Sequence, residues 1–198
     1  MAHSDTRYTL REATLEDEPV LRELIARSIR ALGAADYSPA QIEGALRGAF
    51  GVDTNLIRDG SYYVVVSDAG ERVACGGWSR RRTLFGSDAR AERDDSWLDP
   101  DTEAAKIRAF FVDPAHARRG LGRAILARSE TDARRAGFTR FELMATLPGV
   151  RLYAQCGYVA QAPISYPLPD GLSIPFVPMS KSGEPAGAAA ITQSNNQG

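Results

Sequence analysis

Arg118-Arg119-Gly120-Leu121-Gly122-Arg123 lies between an apolar run, Ile107 to Val112, and a helical pattern that continues to about Ala136. A strand that passes through a Gly-rich turn into a helix gathers several backbone N–H groups in one place. The helix macrodipole adds partial positive charge there. Gly120 and Gly122 have no Cβ, so a ligand can come close to the main chain. The arginines add charge and bidentate donors. Such a turn suits a pyrophosphate. It is not a P-loop, because no Gly-Lys-Ser/Thr is present. It is not the dinucleotide fingerprint either, because Ile125 stands where the third glycine would be.

The rest of the chain narrows the setting. With 198 residues, 43% hydrophobic and 25% charged, it is expected to form one ordinary globular domain with a real core. A formal net charge of -1 argues against nucleic acid as the main partner. There is no run of 18 apolar residues, and Met1 to Asp5 carry no signal-peptide pattern, so the expectation is cytoplasmic with no membrane partner. Cys75 and Cys156 are too few for a disulfide framework, and no Cys/His cluster has metal-ligand spacing, so no metal is expected. A homodimer is left open.

Tyr8 to Arg11 reads as a first strand. Thr14 and Asp17 form a helix-start pattern, followed by Val20, Leu21, Leu24, Ile25, Ile29 and Leu32 at helical spacing, with Gly33 as a stop. Ser38-Pro39-Ala40-Gln41 predicts a second, short helix. Ser61 to Ser67 and Arg72 to Trp78 flank Asp68-Ala69-Gly70-Glu71 as a hairpin. Ser79 to Glu103 holds Arg80-Arg81-Arg82 and then many aspartates, and reads as a long connection. Ile107 to Val112 is apolar at most positions and should be a central strand. Arg140 to Met144 is another strand, Val150 to Cys156 a short helix, and Tyr158 to Tyr166 pairs with Leu172 to Met179 across Pro169-Asp170-Gly171. The expected division is one domain over 1–179 and a loose tail over 180–198.

Phe110-Phe111-Val112-Asp113-Pro114, the Arg/Gly turn, and Leu152-Tyr153-Ala154-Gln155-Cys156-Gly157-Tyr158 some thirty residues on together resemble the GNAT superfamily of acyl-CoA-dependent N-acetyltransferases. The likeness runs from about Tyr8 to Val177. It implies an α/β fold with a mixed, mostly antiparallel sheet, flanked by helices and splayed at its central strands. It implies acetyl-CoA as cosubstrate and an amine acceptor of unknown identity. In such a fold, main-chain groups of Phe110, Phe111 and Val112 would pair with the pantetheine arm, in the manner of an added strand. Arg118, Arg119, Gly120, Leu121, Gly122 and Arg123 would hold the pyrophosphate.

The implied reaction is direct attack of the amine on the thioester, with a backbone N–H stabilising the oxyanion. Tyr153 matches the tyrosine that protonates the leaving thiolate in many members. Thr146 stands where the family often has an asparagine near the pantetheine. Ala117 replaces a common Gln or Arg. Lys106 replaces a glutamate that serves some members as base, and an ammonium cannot accept a proton. Glu103 and Glu142 are the nearby carboxylates. The acceptor side would be built from about Ser28 to Phe50 and from Ser79 to Glu103. A second reading is an acyl-CoA-binding sensor or interaction module with little turnover.

Overall fold

The computed structural model describes residues 6–90 and 93–183. Its centre is an eight-stranded sheet. The strands are β1 (Tyr8–Glu12), β2 (Tyr62–Ser67), β3 (Arg72–Ser79), β4 (Ala105–Val112), β5 (Arg140–Thr146), β6 (Val159–Ala160), β7 (Ile164–Pro167) and β8 (Ser173–Ser182). The order is β1-β2-β3-β4-β5-β8-β6, with β7 also paired to β8. Every pairing is antiparallel except β4 with β5. The sheet is mixed and mostly antiparallel, and helices cover both faces.

Helix α1 (Glu18–Leu32) buries Leu21, Leu24, Ile25, Ser28 and Ile29, a stripe at i, i+3, i+4, i+7 and i+8. Each of its fully buried Leu or Ile side chains contributes about 1.5–3 kcal/mol. Thr14 and Asp17 form a capping box on the 3-10 turn just before it. Helix α2 (Pro39–Ala45) starts on a second capping box, Ser38 with Gln41. These two and α3 (Thr54–Arg58) pack on one face of the sheet. Helix α4 (Leu121–Arg135) covers the other face, with Leu121, Ile125, Leu126 and Ala133 against Trp78, Phe141 and Leu143. The short α5 (Val150–Gln155) follows β5.

The expected single strand from Tyr158 to Tyr166 is two short strands, β6 and β7. The expected tail boundary also moves. Ser180, Lys181 and Ser182 belong to β8, where they pair with Glu142, Phe141 and Arg140. Lys181 is fixed there by Glu130 at 2.8 Å. The remainder of that expected tail, residues 184–198, lies outside the described residues.

The parallel pairing of β4 with β5 covers only Ala105 to Ile107 against Phe141 to Leu143. Beyond Ile107 the two strands part. A bulge falls at the same point: Ala109 has φ 58, and the β3–β4 register shifts between Cys75 and Gly77. The bulge turns two successive residues to one face. Ile107, Phe110 and Val112 face the α4 core, whereas Ala109 and Phe111 face the α1–α3 core. Gly76 makes this possible, since a Cβ there would lie 2.7 Å from the Phe110 ring. The Tyr62 hydroxyl donates to the Ala109 carbonyl at 3.0 Å and holds the kink.

Candidate active site

The turn between β4 and α4 opens on Asp113, whose carboxylate accepts from the Ala115 N–H at 3.0 Å and is paired with Arg27 at 3.0 Å. Arg118 (φ 64) and Gly120 (φ 80) both adopt left-handed backbone. Gly120 has open space around it, so its positive φ is what calls for glycine. The first bond of α4 runs from Ala124 N–H to Gly120 O. The amides of Leu121, Gly122 and Arg123 therefore have no acceptor within the helix. Arg119 donates to the Tyr8 hydroxyl at 3.0 Å, while Arg118 and Arg123 are exposed. A Cβ at Gly122 would meet Leu152 at 3.1 Å and Val112 at 4.0 Å, so the helix start lies against both β4 and α5.

The free edge of β4 is settled by its bonds to β3. Asp113 N–H donates to Val73 O at 2.8 Å, and Phe111 pairs opposite Cys75. Peptide groups alternate along a strand. Those of Phe110 and Val112 thus face the gap. The peptide group of Phe111 faces β3, a correction to the expectation that it would line the gap with its main chain. Its side chain instead packs edge-on against Phe50, with ring centroids 6.1 Å apart. The Val112 N–H is bonded to Ser28 Oγ at 3.2 Å, which leaves its carbonyl for a ligand.

At the splay lies a cavity of ≈ 60 Å³. Its walls are β4 from Ile107 to Phe111, Met144 and Thr146 of β5, Phe176 of β8, and Tyr153 of α5. The opposite side is closed by Ala49 to Gly51 and by Leu84 to Gly86. Tyr153 is 8% exposed and lies edge-on to Phe110 at 6.0 Å and to Tyr158 at 5.9 Å. Burial, with the neighbouring Cys156 adding to it, raises the Tyr153 phenol above its ordinary value of 10.0. It is protonated at neutral pH. Thr146 ends β5 at the mouth of the short turn into α5. The Tyr37 hydroxyl accepts from Leu147 N–H at 2.7 Å and donates to Pro175 O at 3.1 Å, which fixes that turn against β8.

The candidate bases are engaged elsewhere. Glu103 is paired with Arg82 at 2.7 Å and accepts from the Asp99 N–H. Glu142 is paired with Lys106 at 2.7 Å, across the zipped end of β4 and β5. Neither lines the cavity. The arginine run is also tied down. Arg81 is held by Asp59 at 2.7 Å and stacks on Trp97, as does Arg80. Of the long connection, Leu84, Phe85 and Gly86 reach the cavity and the three arginines do not.

Sequence reasoning missed Arg108. Its side chain is 4% exposed, lines the cavity, and lies 2.6 Å from Asp53 Oδ2. Burial lowers its guanidinium from the ordinary value, against the raising effect of Asp53. The available signal was a charge midway along a strand read as central, since a buried charge must find a partner.

Among the described residues, no group of three or more His, Cys, Asp or Glu side chains is placed to hold a metal, and no helix is long and apolar enough to cross a membrane. No curated protein matches the chain in sequence. Solved structures match its fold. The GCN5-related N-acetyltransferase of Rhodopseudomonas palustris gives a TM-score of 0.65 at 19% identity, covering 91% of this chain and 99% of that one. The PaiA N-acetyltransferase of Thermoplasma acidophilum, solved in complex with coenzyme A, gives 0.59 at 14% identity, covering 89% and 99%. The ribosomal-protein-S18-alanine N-acetyltransferase of Escherichia coli gives 0.55 at 16%, covering 93% and 99%. The Acetyltransferase (GNAT) family model matches residues 28–158, a span that holds the splay, the bulge, the α4 turn and Tyr153. The chain belongs to the GNAT acetyltransferase family.

Proposed function

We propose that the protein moves an acetyl group from acetyl-CoA to a primary amine by direct attack on the thioester. The observation that carries this reading is the alignment of three features along one groove. They are the unpaired amides that open α4, the unpaired edge of β4, and the buried Tyr153 phenol beside the cavity. Main-chain amides from Arg118 to Arg123 take the pyrophosphate, with Arg118 and Arg123 adding charge. The Phe110 peptide group and the Val112 carbonyl receive the pantetheine arm, and Thr146 offers a hydroxyl from the facing strand. Tyr153 donates its proton to the departing thiolate. A phenol with a raised pKa can do this because a thiolate in the same apolar surroundings also has its pKa raised. Among the described residues no carboxylate lines the cavity, so the amine reacts in its neutral form, its proton having gone to water.

Thiol release from acetyl-CoA, measured across a panel of small amines, tests the reading. Acceptor-dependent release accompanied by an N-acetylated product is expected. Tight coenzyme A binding without acceptor-dependent release from any amine overturns it.

A further inference from the structure

Among the described residues, Arg108 is the one charged side chain that lines the cavity. Its Nη1 meets Asp53 at 2.6 Å, and its Nη2 donates to the Gly86 carbonyl at 2.7 Å. Its Nε–H is buried and has no partner. Asp53, fully buried, is shared with a second guanidinium, Arg93 Nη2 at 2.8 Å. Two cations thus converge on one buried carboxylate. The remaining aspartates, Asp88 and Asp95, approach Arg93 at 3.3 Å and lie half-exposed on its side of the cluster. The Arg93 Nε–H is likewise buried without a partner, and of the two arginines Arg108 alone lines the cavity. Buried donors of this kind are costly unless something pairs with them.

We infer that the acceptor amine carries a carboxylate close to its amino group, and that the Arg108 guanidinium anchors this carboxylate. The inference rests on the acetyl-transfer reading and names its substrate class. Three observations lead to it. Gly86, which accepts from Arg108, lines the cavity, and Asp53 lies two residues beyond the Ala49–Gly51 segment that lines it. Among the described residues no acidic side chain lines the cavity, so an ammonium alone would meet a like charge at Arg108, whereas an amino acid brings its own anion. Arg108 and Tyr153 line the same cavity, so an anion held at Arg108 shares the site with the phenol. A charge-assisted bond to a buried guanidinium also gives sharp selection, because an analogue lacking the anion leaves the donor unpaired again.

The test compares acids with their amides. Wild-type protein with acetyl-CoA is given alanine or alaninamide, and methionine or methioninamide. In parallel, N-acetylalanine and its amide are titrated into coenzyme A-loaded protein by calorimetry. The acids should be used at least tenfold better in kcat/KM, and N-acetylalanine should bind at least tenfold tighter than its amide. In Arg108→Gln both ratios should fall toward one, and Arg108→Lys should keep part of them; coenzyme A affinity reports whether each variant is folded. Equal use and equal binding of acid and amide by the wild type overturns the proposal without need of any variant. So does a preference that depends on Arg108 but appears for succinyl-CoA over butyryl-CoA, which would assign the carboxylate to the donor. If no amine is acetylated while N-acetylalanine still outbinds its amide, the transfer reading fails and the anchor stands.

Discussion

On the proposed cofactor side of the cleft the contact groups would be main-chain amides and carbonyls from one continuous stretch, Phe110 to Arg123. On the proposed acceptor side they would be set by side chains and one carbonyl that are distant in sequence: Arg108 meets Asp53 and the Gly86 carbonyl, and Asp53 is shared with Arg93. The first kind of site depends on backbone geometry, so changes of side chain such as Ala117 and Thr146 are expected to cost it little. The second kind depends on each side chain being present, because removal of one member leaves a buried charge unpaired. Drift among relatives is therefore expected on the acceptor wall as exchange of whole charge sets, and on the cofactor wall as scattered single substitutions.

Tyr153 sits where the two walls meet, and its loss should have the largest effect. Tyr153→Phe keeps the ring against Phe110 and removes only the proton donor. Steady-state kinetics should show turnover lower by about 10²–10⁴-fold with acetyl-CoA affinity little changed. The folded-state pKa is raised above 10.0. The protonated acid is therefore fully present below that pH, and the wild-type rate should show no loss of an acid group between pH 7 and about pH 9.5. Near-normal turnover in the variant would make the acceptor or water the proton source.

Asp53→Ala tests the acceptor wall as a connected set. It leaves Arg108 and Arg93 buried without their shared carboxylate, and chemical denaturation should show a loss of about 3–5 kcal/mol. A loss under about 1 kcal/mol would show that the cluster is not a unit. Gly122→Val tests the cofactor wall. The new side chain collides with Leu152, 3.1 Å from the added Cβ, and covers the helix-start amides. Coenzyme A binding by calorimetry should weaken tenfold or more, about 1.4 kcal/mol. The smallest effect is expected from Arg118→Ala, an exposed side chain on the same turn. A loss of roughly fivefold or less, about 1 kcal/mol, and most of it gone at high salt, is expected if amides do the binding. A loss larger than that of Gly122→Val would reverse the comparison.

What could be read from the sequence follows the same division. The α1 stripe, the Ser38–Gln41 capping box and the Gly120 turn are local, and each carries its own signature within a few residues. Helix α3 has only five residues, too few for a periodicity to show. Ser180 to Ser182 look like a polar tail in composition and become a strand only because β5 is there to pair with them. The family resemblance puts the long connection on the acceptor side, and Leu84 to Gly86 do line the cavity. The arginine run Arg80 to Arg82 is committed to Asp59, Glu103 and Trp97, partners 16 to 22 residues away and invisible to local reading. Arg108 was hidden for the same reason: its two partners lie far along the chain, at Asp53 and Gly86.

The bulge at Ala109 has a kinetic consequence. A left-handed alanine is strained by about 1–2 kcal/mol, and here it is clamped by the Tyr62 hydroxyl, by the Phe110 ring seated over Gly76, and by the pairing of Phe111 with Cys75. The gap beside β4 thus stands open before any ligand arrives, and no strand has to be peeled away to admit one. Coenzyme A should associate in a single phase whose rate rises linearly with concentration and shows no plateau from a slow opening step.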